Sequence, residues 1–418
     1  MKRLLRFYGA TRGREVGLDF HNQPTEEEMT SSFHIDTPAA CLEHATMFVA
    51  FELGKAKWEV GIVVPGSGKL SRYVVDGGDI ETAWRLICKA GQRAEKQCGG
   101  RAMRIVSCYE AGYDGFWLHR WLVERGVESR VLDPASMQVD RRARRAKTDR
   151  LDLQRLMGAL MRHEWGDPLA CKVVHVPSVD QEDNRRPWRE RDRLVKERTA
   201  HTNRIKGLLH GQGVRDALPR AKGFRAWLAE VRTGDGRGLP AHLMAELERE
   251  HARLLLVQEQ IAEIEAQAAA AREATQASAM AAQINQLIDL KSVGPVSSQT
   301  LVGEVFFRDF KNRRQVGSYF GLTGTPFNSG SSQREQGISK AGNPRARTAA
   351  IELAWLWRRH QPGSALSRWF DARVGDQKGR VRRIAIVALA RKLMVALWRF
   401  LGHGIVPEGA LLRAAPRA

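Results

Sequence analysis

The sequence MFVAFELGKAKWEVGIVVP, residues 47–65, contains two apolar runs separated by a short polar segment. The runs Met47–Leu53 and Trp58–Pro65 are rich in β-branched and aromatic residues, a composition typical of strands. The segment GKAK between them predicts a turn. One carboxylate, Glu52, lies inside the first run, where it needs a partner because burial of an isolated charge is costly.

Strands and helices alternate along the chain that follows. Further strands are predicted at Ser71–Asp76, Met103–Tyr109 and Glu128–Asp133, and helices at Ile80–Cys98, Tyr113–Gly126 and residues 148–163. Three consecutive strands followed by alternating helices and strands indicate an α/β domain with a mixed sheet. We predict this domain at residues 45–170, after an irregular N-terminal extension at residues 1–44.

The region 183–285 is helical and carries a seven-residue apolar repeat. It begins with a very basic helix that ends at Gly211-Gln212-Gly213. Two rows of apolar residues then follow heptad spacing: Leu247, Leu254, Ile261 and Ala268 in one row, and Leu243, Val257 and Ile264 in the other, which Glu250 interrupts. The repeat predicts a coiled-coil hairpin or a dimerising arm, or else an ordinary amphipathic helix packed on its own domain.

The last domain, residues 286–402, is predicted to be mostly helical and is followed by a tail at residues 403–418. An apolar helix is predicted at Val296–Val305, directly after a glycine-containing turn. From Gln315 to Phe400 the pattern is helical apart from one loop at Thr323–Gly342.

The positive charge of the chain is segregated. The 418 residues include 67 lysines and arginines against 47 aspartates and glutamates, a net charge of +20. The excess lies in Arg141–Arg150, Arg185–Lys206 and Lys340–Arg399, whereas Leu243–Glu265 carries six glutamates and two arginines. A basic surface that served only solubility would not be distributed in this way. The pattern predicts a polyanionic partner held at several places, which favours nucleic acid.

Composition argues against several other classes of protein. The longest apolar stretch near the C-terminus, Ile384–Val406, is interrupted by Arg391, Lys392 and Arg399, so it predicts an amphipathic core helix and no membrane span. Residues 1–20 lack the apolar core of a secretory signal. The five cysteines contain no CxxC pair, which disfavours a disulfide scaffold or a cysteine zinc site and fits a reducing cytoplasm. With the nucleic-acid partner that the charge favours, the sequence predicts a cytoplasmic, nucleoid-associated protein.

Four carboxylates of the first domain are candidates for a metal site. Glu52 lies in the first strand and Glu110 follows the strand Met103–Tyr109, while Asp149 and Asp152 are one helical turn apart and face the same side. Converging acids need a cation between them, and hard oxygen ligands favour Mg²⁺ or Mn²⁺, which promote phosphodiester chemistry. Taken singly, Asp149 is equally well explained as a helix N-terminal charge, and Asp152 as the partner of Arg150 or Arg155.

Four motifs occur in order between about residue 46 and residue 400. They are Tyr109-Glu110-Ala111-Gly112, Lys147-Thr148-Asp149-Arg150-Leu151-Asp152, Asn328-Ser329-Gly330 and Ile338-Ser339-Lys340-Ala341-Gly342-Asn343. The ordered set resembles the DEDD-type insertion-sequence transposases related to the Piv DNA invertase. The resemblance implies a RuvC-like (RNase H-like) domain whose Asp-Glu-Asp-Asp tetrad binds Mg²⁺. That tetrad would fall on Glu52, Glu110, Asp149 and Asp152, with glutamate replacing the usual first aspartate.

The same resemblance implies a nucleophile and a set of partners. Ser329 would attack a DNA phosphodiester and form a phosphoserine link, although from the residues alone Ser331 and Ser332 are equal candidates. The partners implied are donor and target DNA, a structured non-coding guide RNA from the same element, and further copies of the chain in a dimer or tetramer. The residues predicted to bind nucleic acid are Arg141, Arg142, Arg144, Arg145, Lys147, Arg204, Lys206, Lys340, Arg345 and Arg347.

Two other functions stay open from the sequence. One is a RuvC-like metal-dependent nuclease that resolves DNA junctions by water attack, with Ser329 merely structural. The other is a nucleic-acid-binding protein without enzymatic activity, in which the four acids are structural. A covalent protein–DNA adduct would separate the first function from both alternatives.

Overall fold

The computed structural model describes residues 45–137, 149–274, 278–329 and 332–413. The chain divides into two compact units, Met1–Val176 and Pro177–Ala418.

The first unit contains a five-stranded sheet. Its strands are β1 Thr46–Leu53, β2 Lys57–Val63, β3 Leu70–Asp76, β4 Arg104–Glu110 and β5 Glu128–Leu132. The spatial order is β3-β2-β1-β4-β5. Strand β2 is antiparallel to β1 and β3, whereas β4 is parallel to β1 and β5. The prediction of a mixed sheet in an α/β unit is confirmed.

Helices cover both faces of this sheet. They are α1 Ile80–Gln97, α2 Trp117–Glu124 and α3 Asp149–Glu164, and a short 3₁₀ turn lies at Pro134–Ser136. Successive strand residues point to opposite faces. Thus Val49 and Phe51 pack with the residues of α1 and α2, while Ala50 and Cys108 pack with α3.

Helix α3 lies close to the sheet because one strand residue has no side chain. A Cβ atom at Gly61 would lie 3.2 Å from the Leu153 side chain and 3.0 Å from Leu70 Cδ1, which is tighter than ordinary packing. Leu153, Leu156 and Leu160 of α3 are fully buried. This contact fixes the distance of α3 from the strands that carry the predicted acids.

The second unit is mainly helical. Its helices are α4 Val179–Asp183, α5 Arg186–His210, α6 Phe224–Glu230, α7 Ala241–Ala274, α8 Ala279–Ile288, α9 Pro295–Leu301, α10 Arg313–Tyr319, α11 Pro344–His360, α12 Ala365–Val374 and α13 Arg380–His403. A π-helical segment, Val302–Phe306, continues α9. In the predicted loop at Thr323–Gly342 the structure instead has a hairpin of strands β6 Gly324–Ser329 and β7 Ser332–Ile338. The loop prediction was wrong because polar, exposed strands lack the apolar alternation by which strands are recognised.

Helices α5 and α7 pack side by side in opposite directions. Arg191 near the start of α5 bonds to Glu265 near the end of α7, and Arg204 near the end of α5 bonds to Glu246 near the start of α7, each at 2.6 Å. The heptad row of Leu247, Leu254 and Ile261 is buried. Glu250, which interrupts the other row, lies with its carboxylate 2.7 Å from Nδ1 of His201. The carboxylate accepts a hydrogen bond from this nitrogen in the tautomer that carries the proton there. The repeat therefore packs against a helix of the same unit.

The core of the second unit surrounds helix α13. Leu389, Leu393 and Leu397 are fully buried in one cluster with residues of α9, α10, α11 and α12. The predicted amphipathic core helix at Ile384–Val406 therefore corresponds to α13, which ends three residues earlier, at His403. In the described part of the chain, no helix combines the length and the apolar character that a membrane crossing requires.

Candidate functional site

Glu52 and Glu110 lie at the same end of two neighbouring strands. Phe51 of β1 and Tyr109 of β4 are register partners in the parallel pair, and the two glutamates are the next residues of their strands. Strand alternation places both on the sheet face that α3 covers. Both are partly buried. The structure thus brings two of the predicted acids to one edge and one face.

Helix α3 brings its first turn to that edge. The helix runs opposite to β4, because Glu164 at its C-terminal end bonds to Arg104 at the start of β4, at 2.9 Å. Its N-terminal residues, Asp149 and Asp152, therefore lie toward the strand ends with the glutamates. Asp152 accepts a hydrogen bond from Arg155 at 2.9 Å, and of Asp149 only the backbone is described.

The donor atoms at this edge suit a hard divalent cation, because carboxylate oxygens are the ligands that Mg²⁺ and Mn²⁺ prefer. Among the residues whose side chains the structure describes, no three His, Cys, Asp or Glu side chains are grouped closely enough to hold a metal ion. The side chain of Asp149 lies outside that set. The argument for a divalent cation here therefore rests on Glu52, Glu110 and Asp152, which lie on one face at the same end of the sheet. Asp152 is also bonded to Arg155.

A further acid, not predicted as a site residue, lies beside them. Glu59 of β2 is the register partner of Glu52 and is buried. It accepts two hydrogen bonds from Arg72 of β3, one of 2.8 Å from Nε. The signal was present in the sequence, because Glu59 interrupts the apolar run of β2 as Glu52 interrupts that of β1. We call this end of the sheet, where Glu52, Glu59, Glu110 and Asp152 lie, the acidic edge. It includes an internal ion pair between Glu59 and Arg72.

An ion-pair network fixes the opposite end of α3. Glu164 accepts hydrogen bonds from Arg104 at 2.9 Å and Arg130 at 3.1 Å, and Glu128 of β5 bonds to the same two arginines. The hydrogen bond from Arg104 is the largest cause that lowers the pKa of Glu128 from 4.5 to about 2. The network fixes the C-terminal end of α3 at the start of β4. It therefore keeps the first turn of α3, with Asp152, at the end of the sheet where Glu52 and Glu110 lie.

Ser329 lies in the second unit, at the end of β6. It is exposed, and its register partner across the hairpin is Ser332. Gly330 and Ser331, which join the strands, lie outside the described residues. The hairpin is held along its length by the ladder and by the Thr325 hydroxyl, which donates to the Gly337 carbonyl at 3.0 Å. An exposed serine at a strand end is open to the backbone of a nucleic acid.

The motif Ser339-Lys340-Ala341-Gly342-Asn343 forms the turn that follows the hairpin. Gly342 has φ +91°, and a Cβ atom there would lie 2.2 Å from the Tyr319 carbonyl oxygen. The Asn343 N–H donates to the same oxygen at 3.1 Å. The Asn343 side-chain oxygen caps α11 by accepting from two backbone N–H groups, at 3.0 and 3.1 Å. The motif therefore joins the hairpin, α10 and α11 by contacts that need these residue types.

Gly342→Ala is expected to lower the free energy of unfolding by about 3 kcal/mol, because the new methyl group adds a backbone clash to an unfavourable φ. Gly337 provides the matched control. Its φ is +94°, but a Cβ atom there would meet nothing within 4 Å. Gly337→Ala should therefore cost only about 1–2 kcal/mol. Urea denaturation of both variants measures the difference, and equal losses would contradict the role of the close contact.

Glu304 is a second residue that the sequence prediction missed. It lies in the π-helical segment and is only 2% exposed. It accepts hydrogen bonds from Arg189 at 2.8 and 3.0 Å, from Arg345 at 2.8 Å and from the Asn343 amide at 2.9 Å. Burial alone would raise the pKa of Glu304, but its hydrogen bond and charge interaction with Arg189, with smaller effects of Asn343 and Arg345, lower it from 4.5 to about 2.

The predicted nucleic-acid-binding residues have different surroundings. Arg345 is mostly buried and also bonds to Asp192 at 2.6 Å and to the Trp188 carbonyl at 2.7 Å, so its guanidinium is used inside the unit. Arg347 donates a hydrogen bond to the Lys340 carbonyl at 2.9 Å. Three of the predicted residues are exposed: Lys206, Lys340 and Arg204, the last of which is paired with Glu246. The residues Arg141, Arg142, Arg144, Arg145 and Lys147 lie outside the described part of the chain.

Comparison with known proteins gives a consistent result. A profile described as the Transposase IS116/IS110/IS902 family matches residues 284–368. "Putative transposase y4rJ" of Sinorhizobium fredii is 44% identical over 380 residues, which cover 89% of this chain and 96% of that protein. "Transposase for insertion sequence element IS1111A" of Coxiella burnetii is 29% identical over 288 residues, which cover 68% of this chain and 74% of that protein.

Proposed function

The chain belongs to the IS116/IS110/IS902 family of transposases, and on that basis we propose that it moves an insertion sequence by strand transfer through Ser329. Transposases of this kind cut and rejoin DNA. The observation that carries the serine step is the exposed position of Ser329 at the end of β6, in a hairpin whose base is fixed by the Gly342-Asn343 turn.

The serine step consists of two balanced exchanges at phosphorus. The Ser329 hydroxyl oxygen bonds to the phosphorus as it loses its proton, and the bond from phosphorus to one deoxyribose oxygen breaks, so that oxygen leaves and takes up a proton. A deoxyribose hydroxyl of the second DNA strand then attacks the phosphoserine and releases the serine. Because one phosphate ester replaces another at each stage, the reaction needs no external energy source.

The acidic edge of the first unit is the proposed metal site. Glu52, Glu110, Asp149 and Asp152 would hold Mg²⁺ or Mn²⁺, which supplies positive charge to stabilise the phosphoryl oxygens in the transition state. The supporting observations are the shared face of the two glutamates and the position of the first turn of α3. The mixed five-stranded sheet with helices on both faces is compatible with the RuvC-like domain proposed here.

Glu110→Gln is expected to lower strand transfer at least about 100-fold, because it removes one anionic ligand while keeping the shape of the side chain. Binding of DNA should persist within about twofold, since no cation of the protein is lost. The matched control is Glu95→Gln, an exposed carboxylate on α1 of the same unit. A radiolabelled strand-transfer assay measures both variants. Full activity of Glu110→Gln would remove this residue from the proposed site.

The proposal also includes two partners: a structured guide RNA that binds the protein, and further copies of the chain that assemble with it. Exposed lysines of the basic stretches, such as Lys206 and Lys340, support contacts to a polynucleotide backbone, which is what a protein needs when base pairing reads the sequence. Leu255 and Leu256 of α7 are 52% and 53% exposed, which supports a contact of this helix with a second copy of the chain. Sequencing of RNA that copurifies with the protein, and mass photometry of Leu255→Ser, Leu256→Ser protein, test the two parts separately.

Trapping of a covalent adduct tests the proposal. The wild-type protein is incubated with ³²P-labelled donor and target DNA and the copurified RNA, denatured, and digested with nuclease and protease. We expect one phosphoserine-linked peptide that contains Ser329. Cleavage without any adduct would instead support the metal-dependent nuclease, and binding without cleavage would support a non-enzymatic protein.

A further inference from the structure

A basic cavity lies between the start of α10 and the C-terminal end of α13. Its volume is about 350 Å³, and it is lined by Asn312, Arg313, Trp398, Arg399, His403 and Ile405. No carboxylate is among these six residues, and the volume lies in the lower range of small-ligand pockets, roughly 300–1,000 Å³. We propose that this cavity binds one unpaired nucleotide of a nucleic-acid strand, with the base against Trp398 and a phosphate at Arg313 and Arg399.

The floor of the cavity is held by the core. Trp398 is partly buried and packs against the hydrophobic cluster of the second unit, next to the buried residues Leu397 and Phe400. Its indole is therefore supported from one side, so it presents a fixed apolar surface at low entropic cost. Stacking on such a surface does not depend on the identity of the base, because every base has a π-face.

One wall is built by the end of α13. The helix stops at Gly404, whose left-handed φ of +67° reverses the chain while its N–H donates to the Phe400 carbonyl at 2.9 Å. The reversal brings Ile405, 56% exposed, to the cavity beside His403. Glycine suits this cap because it adopts a positive φ without strain.

The other wall is built at the start of α10. The Asn312 side-chain oxygen accepts hydrogen bonds from the Arg314 and Gln315 N–H groups, at 3.0 and 3.1 Å. These two bonds fix the direction of the asparagine and leave its amide N–H donors outside the cap. The next residue, Arg313, is exposed and lines the cavity.

The charge of the cavity is not neutralised within the described residues. Arg313 and Arg399 form no ion pair there, whereas Arg189 and Arg345 of the same unit both bond to Glu304. Cations that have no internal partner are available to an external anion. An aromatic surface combined with such cations matches the requirements of a single strand, whose phosphates and bases are both exposed.

Photocrosslinking locates the proposed nucleotide directly. Ten-nucleotide single strands with one 5-iodouracil, prepared as DNA and as RNA, are irradiated with the full-length protein and the crosslinked peptides are identified by mass spectrometry. We expect a crosslink to Trp398 or His403. The two probes show whether the strand is DNA or RNA. Crosslinks confined to other peptides with both probes would overturn the proposal.

Affinity measurements test the separate contributions of charge and stacking. Arg313→Ala, Arg399→Ala protein should show a salt slope for single-strand binding smaller by about 0.7, since the one phosphate that both arginines contact is lost. Trp398→Leu should weaken binding about tenfold, and Trp398→Phe should restore most of it. Arg359→Ala, Arg373→Ala protein, with two exposed arginines replaced, is the charge-matched control. Equal effects of the two double variants would overturn the phosphate contact.

The cavity proposal and the serine proposal fail in different ways. Crosslinking and strand affinity need neither the nucleophile nor the metal ligands, so Ser329→Ala protein should give the same crosslink as the wild type. If the wild-type protein forms no covalent adduct but still gives the crosslink, only the serine proposal is contradicted. A retained adduct in protein that yields no crosslink to the cavity would affect only the proposal made for the cavity.

Discussion

Ser329→Ala is expected to abolish the covalent protein–DNA adduct and to lower strand transfer by at least about 10⁴-fold. Removal of a nucleophile leaves only the catalysis that binding and charge stabilisation supply, and losses of this size or larger are found for other serine nucleophiles. Because Ser329 is exposed at the end of β6, the loss of its hydroxyl should leave the free energy of unfolding within about 0.5 kcal/mol of the wild type. A denaturing gel of ³²P-labelled reactions measures the adduct.

The neighbouring hydroxyls provide the controls. Ser331→Ala and Ser332→Ala test the two residues that are equal candidates from the sequence. Thr325→Val removes the hydroxyl that bonds to the Gly337 carbonyl on the same hairpin, so it tests whether damage to the hairpin alone can imitate loss of the nucleophile. All three should form the adduct. An adduct in Ser329→Ala protein at the wild-type level would move the reaction to another group.

Glu304→Gln is expected to lower the free energy of unfolding of the second unit by about 3–5 kcal/mol, the cost of breaking a buried ion pair from one side. The amide keeps the shape of the side chain but leaves the charges of Arg189 and Arg345 without their anion. Urea denaturation followed by circular dichroism measures the loss. A change below about 1 kcal/mol would show that the contacts of Glu304 contribute little net stability.

Asp371→Asn is the matched control for Glu304→Gln. Asp371 pairs with Arg358 at 2.9 Å, but its side chain is 51% exposed. Exposed pairs contribute roughly 0–1 kcal/mol because water screens the charges. The control should therefore be nearly neutral, although it removes the same kind of charge from the same unit.

The effect of Glu304 should depend on pH in one direction. Its pKa is lowered from 4.5 to about 2 in the folded chain, so the stability that its charge contributes is fully present above about pH 4.5. That contribution is lost as the pH falls from 4.5 toward 2, where the carboxylate becomes protonated in both states. The difference between Glu304→Gln and the wild type should therefore narrow over this range when stability is measured at pH 6, 4 and 3.

The sheet of the first unit could be predicted because its strands are continuous apolar runs bounded by turns. The run at Met47–Leu53 corresponds to β1, and the predicted strand Met103–Tyr109 corresponds to β4, shifted by one residue. The sequence places Glu52 inside one strand and Glu110 at the end of another, but only the structure shows that these two strands are parallel and adjacent. The position of α3 does not follow from the sequence either, because it depends on the small volume of Gly61.

The contacts of the second unit were less accessible to sequence reasoning. The β6–β7 hairpin is polar and exposed, so no apolar period marks it. Arg345 was predicted to bind nucleic acid because it lies in a basic stretch, but its guanidinium bonds to Asp192 and Glu304, which are 153 and 41 residues away in the chain. Charge runs in a sequence do not distinguish arginines that bind a ligand from arginines that hold two helices together.

The antiparallel pair of α5 and α7 has a mechanical consequence. Helix α7 has 34 residues and is therefore about 50 Å long, and the pair is anchored near one end, where Arg189 of α5 bonds to Glu304. Glu304 also accepts a hydrogen bond from the Asn343 amide at 2.9 Å, and Asn343 lies in the turn that follows the hairpin of Ser329. One buried carboxylate therefore joins the end of the helix pair to the turn at the base of the hairpin that carries Ser329.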